Sequence, residues 1–245
     1  MTYCVGVKLS AGIVMMSDTR TNAGIDNISR FRKAFSWEEP GERVLTVCTA
    51  GNLSVTQGVL SAVNGAIRRE PTDGGETILN APTLYRVAEI FGQEMVRMQS
   101  LHGPQLAAQG VSADASILLG GQRRGGEPRL YLIYSAGNFV EATEDTPFLQ
   151  IGEHKYGKPI LDRVVTPATP LPQALKAVFL SMASTIRSNL SVGAPLDLTV
   201  MKSDEMRLSV LRRVEEADED YVAISDGWSA ALLDAVERLP EVADR

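Results

Sequence analysis

Thr2 follows a single methionine, and loss of Met1 would leave one residue carrying both a hydroxyl and a free α-amine. Such a residue can act as nucleophile and base together, because its own amine can accept the hydroxyl proton. An unperturbed α-amine has a pKa of about 7.7–8.0, so much of it is already neutral near physiological pH. Many chains begin Met-Thr, so the chemistry needs helpers. Asp18 ends the second of two apolar runs, where an antiparallel hairpin would lay it beside the start of the first. Lys33 alternates with Phe31, Phe35 and Trp37 on one strand face, an odd place for an ammonium without a charged partner. An Asp18–Lys33 pair beside Thr2 would disfavour protonation of the α-amine by like-charge repulsion. It would also stabilise negative charge developing on the threonine oxygen. The same two residues could equally form a purely structural ion pair or lie solvated at the surface.

Gly51 stands between an apolar strand and a helix start, where backbone N–H groups point outward and could hold an oxyanion. A tight strand-to-helix turn would require a glycine there too. Ser188 and Ser191 end a long helix, and their hydroxyls could support the Thr2 amine or cap the helix. His102 and His154 lie in or near loops without metal-ligand spacing, so neither a metal nor a cofactor is expected. The run Glu215–Asp220 reads as a solvated acidic turn, and Gly120–Pro128 as a charged hairpin turn.

These residues need a scaffold. Tyr3, Val5, Val7 and Leu9 alternate, Ser10-Ala11-Gly12 turns, and residues 13–18 return as a second strand. Residues 44–50 form another apolar strand, followed by a helix from Asn52 to about Arg69. Leu84, Val87, Ala88, Phe91, Met95 and Met98 make one helical stripe over residues 83–101, and a loop is expected over residues 102–112. Strands are expected at residues 115–119, 129–135 and 139–142, then helices at 155–164 and 172–190. Strands at 196–201, 207–214 and 221–225 and a helix at 227–239 complete the pattern. The order is strands, two helices, strands, two helices, strands. It predicts an α+β protein of one domain over residues 1–245, with two stacked sheets and helices outside them, a four-layer αββα sandwich.

Composition sets the frame. At 44% hydrophobic and 22% charged residues, the chain has the balance of a soluble globular domain. Its net charge of -6 argues against nucleic acid as the main partner, since phosphate binding needs a basic face. Cys4 and Cys48 cannot make a disulfide framework and read as reduced core residues. Lys8 and Ser10 interrupt the apolar start, so neither a secretion signal nor a membrane span is expected, and the chain is placed in the cytoplasm.

Taken in order, the segments Met1–Gly6, Ser17–Gly24, Phe31-Arg32-Lys33, Thr49–Asn52 and Ser188–Gly193 resemble the N-terminal-nucleophile hydrolases of the proteasome β-subunit group, and above all the bacterial Anbu family. The resemblance covers essentially the whole chain. It implies a proteasome-type threonine peptidase, with Thr2 as nucleophile, Asp18 and Lys33 as the charged pair and Gly51 at the oxyanion position. Thr21, Phe31, Thr49 and Leu53 fall near positions that line the substrate pocket in such proteins. It also implies a peptide or protein substrate and self-association into a ring or spiral. Two departures are visible. The Gly-Ser-Gly segment of proteasomal subunits becomes Gly152-Glu153-His154, and their Asp-x-x-Ser-Gly-Gly becomes Ser188–Gly193, so the network around the amine differs. Maturation would need only removal of Met1. While Met1 remains, the amine is an amide and the chain should be inactive. The rival expectations are a ring or spiral subunit with little hydrolysis of its own, and an amidase acting on a non-peptide amide.

Overall fold

The computed structural model describes residues 2–22 and 28–242. Met1 and the Ala23-Gly24 end of one family-like segment lie outside the described residues. The alternating start folds as expected into β1 (Tyr3–Leu9) and β2 (Gly12–Asp18), paired antiparallel from Cys4↔Ser17 to Leu9↔Gly12. Gly12 takes φ +136, a conformation that only glycine adopts cheaply, and this lets the turn close in two residues. The other edge of β2 pairs with β11 (Leu196–Lys202), and β11 pairs with β12 (Val210–Val214). The free edge of β1 takes β10 (Phe148–Gly152).

The second five-stranded sheet runs β5 (Ala34–Glu39), β6 (Arg43–Gly51), β7 (Ala115–Arg123), β8 (Arg129–Ile133) and β9 (Phe139–Glu141). A short ribbon, β3 (Arg20–Asn22) with β4 (Ile28–Arg30), leads from one sheet to the other. Helices α1 (Leu53–Asp73) and α2 (Leu84–Ala108) follow β6, α3 (Lys158–Val164) and α4 (Leu171–Ser188) follow β10, and α5 (Glu219–Arg238) follows β12. The described residues thus form a mixed α/β structure with five helices and three antiparallel sheets.

Strand periodicity sorts the core. Tyr3, Val5, Val14 and Met16 pack with Val178, Phe179 and Met182 of α4. Their alternate neighbours Cys4, Ile13 and Met15 pack with Val44, Cys48 and Leu118 of the second sheet. Leu45, Val47, Ile117 and Leu119 face Val55 and Val59 of α1 and Phe91 and Met95 of α2. Each such side chain contributes about 1.5–3 kcal/mol on full burial, so both faces of both sheets are anchored.

Several sequence expectations are corrected. The strand expected at 221–225 is the first part of α5: Asp218 accepts hydrogen bonds from the N–H groups of Asp220 and Tyr221, so the acidic run caps a helix. Tyr221 and Ile224, three residues apart, pack on the first cluster. Helix α2 does not end at residue 101 but continues through Pro104, with Leu106 packed on the core. Gly120 and Gly121 belong to β7 rather than to a turn, because a Cβ at either would collide with Met15 or Val44 of the neighbouring layer or strand. Phe31 and Lys33 precede β5 instead of sharing its face. The strand β10 has no counterpart among the sequence expectations.

Candidate active site

Asp18 closes β2 fully buried, and Lys33, 3% exposed, comes to it from the segment between β4 and β5. Lys33 Nζ donates to Asp18 Oδ1 at 2.7 Å and to the Arg20 carbonyl at 2.6 Å. The same Oδ1 accepts the Tyr3 N–H at 3.2 Å, and Oδ2 accepts the Gly193 N–H at 3.4 Å. One carboxylate therefore joins the chain start, the lysine and the turn after α4. Burial raises the Asp18 carboxyl above its ordinary value, while Lys33 and the two N–H groups pull it back. A buried ion pair is no bargain for stability, since a well-packed apolar pair often serves a fold as well. A buried carboxylate with a raised pKa that links Lys33, the Tyr3 N–H and the Gly193 N–H is a functional candidate.

Thr2 is 8% exposed and held through its backbone. Its carbonyl accepts the Glu153 N–H at 2.8 Å, and Tyr3 pairs with Gly152. Gly152 takes φ +80, and a Cβ there would collide with the Thr2 carbonyl, so the departure Gly152-Glu153-His154 keeps the glycine that this approach requires. Below Thr2, the buried Tyr3 hydroxyl joins Ser181 Oγ at 2.5 Å and accepts from Gln150 Nε2 at 2.5 Å. Burial pushes the Tyr3 phenol well above its usual range, so it stays protonated.

Gly51 ends β6 exposed, at φ +94, followed by Asn52, whose side chain accepts the Ser54 and Val55 N–H groups and caps α1. Leu53 opens that helix half-buried. Thr49 is buried, and its N–H and hydroxyl both donate to the Lys33 carbonyl, at 3.0 and 3.4 Å. It braces the lysine from within. Thr21 lies half-buried in β3, and Phe31, 39% exposed, lines a cavity with Arg30 and Arg32. Ser188 is the exposed last residue of α4, and Ser191 sits half-buried in a turn closed by Asn189, whose side chain accepts the Ser191 N–H at 2.9 Å. The segment reaches Asp18 through the Gly193 main chain. Arg20 clamps it by donating to the Leu190 carbonyl at 3.0 Å.

Arg20, Gly193, Ser181 and Gln150 are thus parts of the site that sequence reasoning did not name. Arg20 and Gly193 lie inside the family-like segments Ser17–Gly24 and Ser188–Gly193 but were given no role. Arg20 receives Lys33 on its carbonyl and its guanidinium packs where a Cβ on Gly193 would stand, contacts that only the fold brings together. Among the described residues no group of three His, Cys, Asp or Glu side chains could hold a metal ion, and no helix is long and apolar enough to cross a membrane. Cys4 and Cys48 are both buried and free.

No protein-family model and no curated protein matches this chain. Solved structures do. A Gly-1 mutant of Anbu from Hyphomicrobium sp. strain MC1 is 43% identical, with full coverage of both chains and a TM-score of 0.92. Anbu, an ancestral β-subunit, from Yersinia bercovieri is 41% identical over 99% of this chain and 100% of its own, with a TM-score of 0.90. The helical assembly of the Anbu complex from Pseudomonas aeruginosa is built of a chain 46% identical, covered 98% by 99% of this one, with a TM-score of 0.90.

Proposed function

This chain belongs to the Anbu family, relatives of the proteasome β-subunit, and on that premise we propose that it is a threonine peptidase whose nucleophile is Thr2. With Met1 gone, Thr2 Oγ attacks a peptide carbonyl while the Thr2 amine takes its proton, directly or through a water. The oxyanion is held by the Gly51 N–H, a donor whose removal from such a site typically slows turnover by about 10²–10³. Collapse passes the proton to the departing amine and leaves an ester on Thr2, which water hydrolyses. Lys33 keeps the Thr2 amine neutral and stabilises the developing charge, Asp18 orients Lys33, and Ser188 and Ser191 belong to the surrounding support. Thr21, Phe31, Thr49 and Leu53 stand near the substrate, Thr49 from behind Lys33.

The observation that carries this reading is the single oxygen, Asp18 Oδ1, shared by the Lys33 ammonium and the Tyr3 N–H one residue from Thr2. The three stacked apolar clusters support the four-layer αββα sandwich of N-terminal-nucleophile hydrolases, as one domain. Two free buried cysteines suit a reducing cytoplasm. Helix α5 packs only Tyr221 and Ile224 partly against the first cluster, fully buries none of its residues and exposes Leu233 and Val236. Together with the helical assembly of the P. aeruginosa relative, this supports self-association into a ring or spiral.

The test is an electrophile selective for N-terminal threonine, with the adduct mapped by mass spectrometry beside hydrolysis of a panel of peptidyl and acyl amides. Wild-type protein should carry the adduct on Thr2 and cleave peptidyl amides, and Thr2→Ala should do neither while staying folded. Undiminished cleavage by folded Thr2→Ala would overturn the proposal.

A further inference from the structure

A cavity of about 360 Å³, lined by the chain neighbours of the ion pair, Thr19 and Arg32, is walled by four arginines, Arg30, Arg32, Arg212 and Arg213, and one carboxylate, Asp197. Arg213 is held by both oxygens of Asp197, at 2.8 and 3.0 Å. Arg212 binds Asp218 at 2.6 Å and Asp220 at 2.7 Å. Among the described residues, neither Arg30 nor Arg32 has a carboxylate within 4.0 Å, so the described wall sets four guanidiniums against Asp197, Asp218 and Asp220. Arg32 is also fixed in place: its Nε donates to the Ala34 carbonyl at 2.7 Å and its guanidinium lies 5.6 Å from the Phe35 ring centre. That leaves its terminal nitrogens as a fork, the geometry that matches a carboxylate. Phe31 and Leu211, both exposed, give the same cavity an apolar wall suited to a methylene stem.

Position ties the cavity to the chemistry. Arg32 precedes Lys33, and Thr19, which also lines the cavity, follows Asp18. Across the first sheet, Cys4, Ser17, Asp197 and Arg213 lie directly opposite one another in a row. Neighbouring strands are about 4.8 Å apart, so the far wall at Arg213 lies roughly 15 Å from β1, and Thr19 is one strand from the chain start. An extended peptide advances about 3.3 Å per residue, so its side chains reach this span about two to four residues from the bond under attack.

We propose that this cavity is a subsite for an Asp or Glu side chain of the bound peptide, with Arg30 and Arg32 as the carboxylate-binding pair. The proposal rests on the peptidase reading for its substrate class, but its test reads binding alone. Fluorescent ten-residue peptides carrying Glu at each position in turn are titrated by anisotropy against folded Thr2→Ala protein, beside matched Gln peptides. Each is made with a free and with an amidated C-terminus. At low salt one Glu register should bind about tenfold tighter than its Gln partner, and rising salt should erode the difference. Arg30→Glu should abolish that preference and favour a Lys peptide of the same register, and Arg32→Gln should weaken it if Arg30→Glu does not fold. Equal affinity for Glu and Gln peptides, no measurable peptide binding, or a preference that survives Arg30→Glu would overturn the proposal. So would a preference that tracks the free C-terminus instead of the side chain. A Glu preference in protein that never cleaves a peptide would sink the peptidase reading and leave the subsite standing.

Discussion

Replacing Lys33 by methionine removes the ammonium beside the chain start while keeping an unbranched side chain of similar length. Lys33 Nζ and the Tyr3 N–H share one oxygen, at 2.7 and 3.2 Å, and the Thr2 amine is one residue further on. Taking roughly 6 Å between the two charged nitrogens and an effective dielectric of about 20, their repulsion is about 2.8 kcal/mol, or about two pKa units on the amine. Burial already raises Asp18, and losing Lys33 raises it further, so a proton on Asp18 replaces part of the lost charge. About one unit should remain. The sign follows directly: Lys33 lowers the pKa of the amine, so its loss makes the amine hold its proton to higher pH. The acid limb of the kcat/KM profile should therefore move up by about one pH unit in Lys33→Met. Lys33→Arg, which keeps the charge, should leave the limb near its wild-type place. The rate of adduct formation at Thr2 as a function of pH gives the same readout where hydrolysis is slow. Breaking the buried pair should also cost about 3–5 kcal/mol of stability, so profiles are compared below the unfolding range. A limb that stays within about 0.3 unit of wild type in folded Lys33→Met would refute the electrostatic role of the lysine.

Three further outcomes test the positioning of the site. Gly51→Ala forces φ +94 on an L-residue and drives its Cβ into the Asp114 carbonyl, so it should cost about 2–4 kcal/mol and lower Tm by about 5–15 °C. A Tm within about 2 °C of wild type by calorimetry would contradict that geometry. Tyr3→Phe strips a partner from both Ser181 and Gln150 and should lose about 1–3 kcal/mol in urea unfolding, and an unchanged midpoint would show that the buried hydroxyl network is not formed. Arg20→Gln keeps the carbonyl that receives Lys33 but drops the hydrogen bond to Leu190. Amides of residues 190–193 should then exchange about tenfold faster by mass spectrometry, about 1.4 kcal/mol of local opening, whereas unchanged protection would mean that Asn189 alone holds the turn.

Much of this was legible in the residues themselves. Alternation in residues 3–18 gave the hairpin, and with it the place of Asp18 beside the start of the first strand. Spacing of three and four gave the helical stripe of Phe91, Met95 and Met98, and Asn52 marked the start of α1. A lysine among aromatic residues left a charged partner as one open reading, and the structure supplies Asp18 at 2.7 Å, though with Lys33 in the segment before β5 and not on a shared strand face. Short apolar runs were the weak point. Residues 221–225 fit a strand or a helix equally, and the Asp218 cap and packing on α4 decided for helix. His102-Gly103-Pro104 read as a break, yet helix packing outweighed one missing hydrogen bond.

What the sequence determined by itself was the set of reactive groups and the pattern of apolar faces, because both are properties of side chains and their local spacing. What only the tertiary structure decided was which distant segments meet. The Arg20 carbonyl, the Gly193 N–H and the edge strand β10 take their roles from main-chain groups that every residue shares. The arginine-walled cavity joins residues 30–32 to residues 211–213, about 180 positions apart, and no local period records such a meeting. It exists because β12 pairs with β11 at the sheet edge and the β4 segment returns across that edge on its way to Lys33.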